Sequence, residues 1–217
     1  SPSMGVTTVV VGNCGFSIAP CLPDCRDLIA RNLAEVEGMS LTALRSGTNW
    51  DFESFDEYLA LLRRKGVTPN VAAFIGHSAV RTMVMGPEAS ERAAREDEVA
   101  EMRDLVRGGI DAGAIGFSTS TSINHYGDGG VLMPSRLAEE SEMRSLVGVL
   151  GEKGRGVFQL TVGPSMTSEV MESLAHDNNC PVFQTAALYN EAFPERAPQM
   201  VSDSAAAQAR GNQLWAQ

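Results

Sequence analysis

The feature that most constrains the fold of this chain is a series of short apolar runs, each followed by a segment with helical periodicity. The runs cover residues 6–11, 70–76, 114–118, 156–161 and 181–187, and the helical segments cover roughly 52–62, 88–111, 137–151, 167–177 and 202–216. About five strand–helix units predict an α/β fold with a parallel sheet and right-handed crossovers. A doubly wound sheet and a partial TIM-type (β/α)8 barrel both remain open at this point.

The first apolar run ends at a cysteine between two glycines, Gly12 and Gly15. Valines and threonines without polar alternation predict a strand that is buried on both faces. In such sheets the functional residues project from the carboxyl ends of the strands, where Cys14 stands. Two interpretations of Cys14 are open from its position alone, a small buried hydrophobe and a functional thiol.

Length and composition exclude several classes of protein. A chain of 217 residues with 43% hydrophobic residues is expected to form one globular domain over residues 1–217. No apolar run approaches the roughly 18 residues of a membrane span, and no signal peptide opens the chain. The net charge of −10 argues against a nucleic-acid partner. The four cysteines do not have zinc-finger spacing. Because no secretory signal is found, reduced thiols in the cytoplasm are expected.

Several polar residues near the predicted strand ends are candidates for lining a cleft. His77 directly follows the run 70–76, and the polar loop 118–130 follows the next run. The residues predicted to contact a substrate are His77, Ser118, Ser120, His125 and Tyr126. Since no two histidines have the spacing of a metal pair and no G-x-S-x-G motif occurs, neither a ready-made metal site nor a serine nucleophile is indicated.

Four segments together resemble the N-acyl-D-amino-acid deacylases (D-aminoacylases) of the amidohydrolase superfamily. They are GVTTVVVGNCGFSIAP at residues 5–20, NWDFESFDEYL at 49–59, NVAAFIGHSAVR at 70–81 and DAGAIGFSTS at 111–120. The resemblance implies an amidohydrolase-like barrel beside a small β-sandwich. It also implies zinc that activates water against the amide of an N-acyl-D-amino acid. The cysteine of the family's G-N-C-G motif is a metal ligand, which assigns that role to Cys14.

The sequence departs from this family pattern at most of the metal ligands. It begins after the family's His-x-His strand and ends before the strands that supply a later histidine and the catalytic aspartate. The run 181–187, PVFQTAA, has no histidine where a relative carries one, and Gln184 and Thr185 are poor zinc ligands. One cysteine does not hold catalytic zinc, so we expect zinc in the parent enzyme and an inactive isolated fragment.

Two alternative functions and one interaction with other protein segments are also predicted. A non-catalytic amidohydrolase-like domain without metal is one alternative, and an amidohydrolase that acts on cyclic amides is the other. The catalytic residues themselves are not assigned. A partial barrel leaves unpaired sheet edges, so we expect self-association or pairing with missing segments of the same enzyme.

Overall fold

The computed structural model describes residues 2–217 and contains one six-stranded parallel sheet. Its strands are β1 (Thr8–Val11), β2 (Asn70–Gly76), β3 (Gly116–Ser120), β4 (Val157–Thr161), β5 (Val182–Thr185) and β6 (Leu214–Ala216). The spatial order is β1-β2-β3-β4-β5-β6, and every neighbouring pair is parallel. A doubly wound sheet reverses its order at a switch point, and this sheet does not. The fold is therefore a partial TIM-type (β/α)8 barrel, which confirms the second of the two predicted architectures.

Eight α-helices accompany the strands within residues 2–217. They are α1 (Arg26–Glu37), α2 (Leu41–Gly47), α3 (Phe55–Lys65), α4 (His77–Met85), α5 (Glu96–Ala112), α6 (Glu140–Lys153), α7 (Ser168–Asn178) and α8 (Arg196–Ala209). Helices α1, α2 and α4 were not predicted. Seven of the nine residues of α4 are buried, so this helix has no polar face to give an amphipathic period.

Three helix boundaries differ from the prediction. Helix α3 begins at Phe55, three residues after the start of the predicted segment 52–62. Ser54 caps it, since its hydroxyl accepts from the Glu57 amide while the Glu57 carboxylate accepts from the Ser54 amide. The predicted helix 88–111 divides into a 3-10 turn, Gly86–Ser90, and α5. The predicted helix 202–216 divides into α8 and the short strand β6, because three residues of strand are too few to show alternation.

The opening strand is exposed along much of its length, so the prediction that both of its faces are buried is wrong. β1 is an edge strand that pairs only with β2 in the described residues. Val10 is 47% exposed because its side chain lies on the concave face of the sheet, where no other part of residues 2–217 covers it. The apolar run therefore reflects a barrel interior that these residues only partly enclose.

The core lies between the convex face of the sheet and the helices. Phe117 of β3 stacks on Phe158 of β4 with their ring centroids 5.9 Å apart, and both rings are fully buried. Met102 and Leu146 belong to the same core and come from α5 and α6, the helices that follow β2 and β3. This layer fixes the positions of the strand ends.

No helix in the described part of the chain is both long and apolar enough to cross a lipid bilayer.

Candidate functional site

A tight turn at the carboxyl end of β1 carries Cys14. Gly12 has a φ of 82°, and a Cβ atom there would lie 2.7 Å from the Phe74 carbonyl oxygen, so the close approach to β2 requires glycine. Cys14 itself has a φ of 59°, which is uncommon for a residue with a side chain. The two glycines predicted to allow close approach therefore let this turn fold against the neighbouring strands.

Hydrogen bonds from β3 and β4 hold the Cys14 turn in place. The Cys14 amide donates to the Gln159 side-chain oxygen at 2.7 Å, and the Gly15 amide donates to the Ser118 hydroxyl at 3.1 Å. The Ser118 hydroxyl in turn donates to the Gly12 carbonyl oxygen. Ser118 is fully buried and lies in the middle of β3, whereas the sequence predicts it at the end of the strand. Its side chain fixes the backbone around the thiol.

The Cys14 thiol is partly exposed, and its surroundings favour the neutral form. Burial raises the pKa of the thiol, the neighbouring Thr161 hydroxyl lowers it, and the charge of Glu37 raises it, with a net upward shift. A thiol must lose its proton to bind a metal ion. The upward shift therefore favours the protonated thiol, and metal binding at Cys14 would have to displace this proton.

The residues around Cys14 do not form a zinc site by themselves. Within residues 2–217 no group of three or more His, Cys, Asp or Glu side chains is placed to hold a metal ion. Gln159 and Thr161 contact Cys14, and the Gln159 amide nitrogen donates to the Thr185 hydroxyl at 3.0 Å. Amide and hydroxyl groups are poor zinc ligands, and catalytic zinc takes three protein ligands. A catalytic zinc ion therefore does not fit these residues alone.

His125 and Tyr126 lie in the loop after β3. The His125 Nδ1 atom is 2.7 Å from the Ser120 hydroxyl, and its ring packs edge-on against Phe16, two residues beyond Cys14. Burial lowers the pKa of His125, and the charge of Arg136 lowers it further, so the ring is neutral at pH 7. Tyr126 is 43% exposed, and its ring lies under the Arg136 guanidinium. Ser120 is fully buried at the end of β3.

His77 does not line the concave face of the sheet, contrary to the expectation from its place after β2. It begins α4 and is fully buried between the sheet and the helices. Its Nδ1 atom is 2.8 Å from the Thr119 hydroxyl and its Nε2 atom is 2.8 Å from the Glu142 carboxylate. Burial lowers the pKa of His77 and the Glu142 hydrogen bond only partly opposes this. A substrate role for His77 has no support from this position.

Sequence reasoning missed Gln159, whose side chain hydrogen-bonds both the Cys14 amide and the Thr185 hydroxyl. Gln159 stands in the middle of an otherwise apolar strand, and a buried amide normally has hydrogen-bonding partners. A single amide side chain at this position therefore indicates a buried hydrogen-bonding site, and the sequence alone shows it. The partner could not have been identified, because residues 14 and 159 come together only through the sheet order.

Comparison with known proteins gives relatives that include D-aminoacylases and N-acyl-D-amino-acid deacylases, together with uncharacterised mycobacterial proteins. D-aminoacylase of Alcaligenes xylosoxydans xylosoxydans is 42% identical over 118 residues, which are 54% of this chain and 22% of that protein. N-acyl-D-glutamate deacylase of the same organism is 33% identical over 153 residues, which are 70% of this chain and 26% of that protein. The chain thus spans about a quarter of these relatives. No protein-family model matches the sequence.

Solved structures of D-aminoacylase and of a related deacylase have a fold similar to that of this chain. A crystal structure of D-aminoacylase, described as defining a novel subset of amidohydrolases, superimposes with a TM-score of 0.71 at 26% identity, over 98% of this chain and 41% of that one. N-acyl-D-glutamate deacylase from Bordetella bronchiseptica, solved with zinc and a phosphonate inhibitor, has a TM-score of 0.68 at 24% identity, over the same shares.

Proposed function

We propose, on the premise that this chain is homologous to part of the D-aminoacylase family of amidohydrolases, that a longer protein containing it hydrolyses the amide bond of N-acyl-D-amino acids. The observation that carries this proposal is the Cys14 turn at the carboxyl end of β1. Gln159 and Ser118 hold that turn rigidly, and it presents a partly exposed thiol at the edge of the barrel where active sites of this fold lie.

In this proposal Cys14 supplies one ligand of a zinc site, and residues outside this chain supply the others. Zinc, when bound, lowers the pKa of water and polarises a carbonyl group. The isolated chain is accordingly proposed to be inactive. His125 and Tyr126 are the candidates for substrate contact, because they are the least buried of the five predicted residues. Ser118 and Ser120 would act by holding the Cys14 turn and His125.

The experiment uses the longer protein with a matched pair of cysteine variants. Zinc is measured by elemental analysis, and hydrolysis is measured on N-acyl-D-amino acids, their L-enantiomers and cyclic amides. We expect Cys14→Ser to reduce both zinc content and activity, the activity by at least about 100-fold. Cys180→Ser, at a buried cysteine between α7 and β5, is the control and should keep bound zinc. Equal zinc and activity in Cys14→Ser would refute the proposal.

A second candidate function is a non-catalytic domain that has kept the fold and lost the metal. It is favoured by the neutral side chains of Gln159, Thr161 and Thr185 on the strands that face Cys14. The same zinc measurement separates the two, since a longer protein that purifies without zinc and hydrolyses none of the substrates supports this candidate. Activity on cyclic amides alone supports the other alternative.

The proposal also includes a cytoplasmic location and an interaction with other protein segments. All four cysteines are free, as expected for a reducing compartment. The outer edges of β1 and β6 have no partner strand in residues 2–217, so self-association or pairing with other segments of the same enzyme remains part of the proposal.

A further inference from the structure

An apolar groove lies on the face of the molecule that carries the strand ends. Its walls come from the loops after β3, β4 and β5, which contribute Ile123, Pro164, Phe193 and Pro194. Ile123 is 54% exposed and Phe193 is 64% exposed. We refer to these residues, together with Arg196, as the Phe193 groove. A group of large apolar side chains on an exposed surface is typical of a binding site.

The Phe193 groove is linked to the Cys14 turn through the end of β4. Thr161, the last residue of β4, lies beside the Cys14 thiol, and the carbonyl oxygen of the following residue, Val162, accepts a hydrogen bond from the Arg196 guanidinium at 3.2 Å. Pro164 follows two residues later in the same loop. The end of β4 and the loop after it therefore connect the surroundings of the Cys14 thiol with the Arg196 guanidinium and with Pro164 of the groove.

The charge of Arg196 is not matched by any acidic side chain in the described part of the chain. Most arginines of this acidic protein form salt bridges, and Arg196 forms none. Glu195 also lines the groove, but it is exposed and makes no ion pair with Arg196. An exposed guanidinium that is held by a backbone carbonyl and keeps free donors is suited to bind a carboxylate.

We infer that the Phe193 groove binds the acyl chain of an N-acyl amino acid whose carboxylate pairs with Arg196, and that the substrates therefore carry medium-length aliphatic acyl groups. An N-acyl amino acid has one carboxylate and one apolar chain on opposite sides of an amide, which matches one cation and an apolar wall in the same groove. This inference rests on the proposed function for its ligand class, and it adds the length of the acyl group.

The test is a titration of the full 217-residue chain with N-octanoyl-D-alanine, N-acetyl-D-alanine and N-octanoyl-D-alaninamide by calorimetry. Each buried methylene strengthens binding by nearly fourfold, so burial of about half of the six additional methylenes should make the octanoyl acid bind at least about 30-fold more tightly than the acetyl acid. Phe193→Ala should weaken the octanoyl acid by about tenfold and leave the acetyl acid unchanged. Arg196→Gln should remove the preference for the acid over the amide.

Two exposed positions elsewhere serve as controls. Val201→Ala shortens a 54% exposed side chain on α8, and Arg64→Gln removes an exposed arginine of α3 that has no ion pair in the described residues. Equal loss of binding in these variants would show nonspecific adsorption and overturn the inference. So would octanoyl and acetyl acids that bind alike, or Phe193→Ala and Arg196→Gln variants that bind like the unaltered chain.

This outcome is separable from that of the proposed function. If the longer protein hydrolyses no N-acyl-D-amino acid but the groove variants lose octanoyl binding, the groove stands and the hydrolytic proposal fails. If the longer protein is active, with rates that depend neither on acyl length nor on Phe193, the groove inference fails and the hydrolytic proposal stands.

Discussion

Replacing Glu142 by glutamine tests the buried ion pair that joins α4 to α6. The Glu142 carboxylate accepts from Arg81 Nη1 at 2.6 and 2.5 Å and is 2.8 Å from His77 Nε2. Arg81 is fully buried and Glu142 is 3% exposed. Burial raises the pKa of Glu142, but the His77 hydrogen bond and the Arg81 charge outweigh burial and lower the pKa below its ordinary value. The carboxylate is therefore charged at pH 7.

The structure sets the size of the expected effect. Glutamine conserves the shape of the side chain, so no cavity forms, and the loss comes from the charge. Arg81 then keeps the neutral amide oxygen of the glutamine and the carbonyl oxygens of Ala89 at 3.4 Å and Arg92 at 2.8 Å, so no negative charge balances its buried guanidinium. Removing one member of a buried pair destabilises a protein by about 3–5 kcal/mol. We expect Glu142→Gln to lower the free energy of unfolding by that amount, a third or more of a typical domain's stability.

Urea unfolding at pH 7, followed by far-UV circular dichroism, measures this change. Glu140→Gln is the matched control, on the same helix, where Glu140 is half exposed and pairs with Arg144. The control should change the free energy of unfolding by less than about 0.5 kcal/mol. The double variant Arg81→Met with Glu142→Leu should recover much of the loss, because no charge is then left buried. A difference below about 1 kcal/mol between Glu142→Gln and its control would refute the reasoning.

Three further predictions concern the turn, the pH dependence and the sheet edges. The free energy of unfolding should fall as pH decreases from about 7 to 5, because burial lowers the folded pKa of His77 and the unfolded chain takes up the proton first. His77→Gln should reduce this slope in pH-dependent unfolding, with exposed His176 as the control position, and an unchanged slope would contradict the assignment. Ser118→Ala should cost about 1–3 kcal/mol in urea unfolding, since Gly15 loses a buried acceptor, whereas Ser122→Ala should be nearly neutral. The chain should self-associate in light scattering after gel filtration, and Val10→Lys on β1 should favour the monomer; a monomeric unaltered chain would refute this.

The strand–helix alternation was readable from the sequence because each strand is a short apolar run with turn residues at its ends. The first and last residues of each strand were harder to predict. The run at 114–118 is continued by polar residues, yet the strand occupies Gly116–Ser120, since the sheet pairs Ser120 with Thr161. A strand whose hydroxyl groups all find partners inside the protein does not look apolar, so its end was placed two residues too early.

The placement of side chains around the strand ends could be predicted only in part, and the difference between Cys14 and His77 shows why. Both residues come within three positions of the carboxyl end of a strand, and the same rule put both at the functional edge. At Cys14 a turn with positive φ angles folds over the carboxyl ends of β3 and β4, so the thiol stays on the concave side. At His77 a helix starts at once and carries the ring to the convex side.

The partners of these two residues decide their roles more firmly than their places in the sequence do. Alternation along β3 sends Ser118 toward the Cys14 turn and Thr119 toward His77, so neighbouring residues of one strand serve opposite sides of the sheet. A substitution at Ser118 should therefore disturb the thiol with little effect on the Arg81–Glu142 pair, and one at Thr119 should do the reverse. Nuclear magnetic resonance of the His77 ring and the alkylation rate of Cys14, compared in Ser118→Ala and Thr119→Val, measure the two effects separately. Shifts of both probes in both variants would mean that the two sides of the sheet are coupled, against the separation argued here.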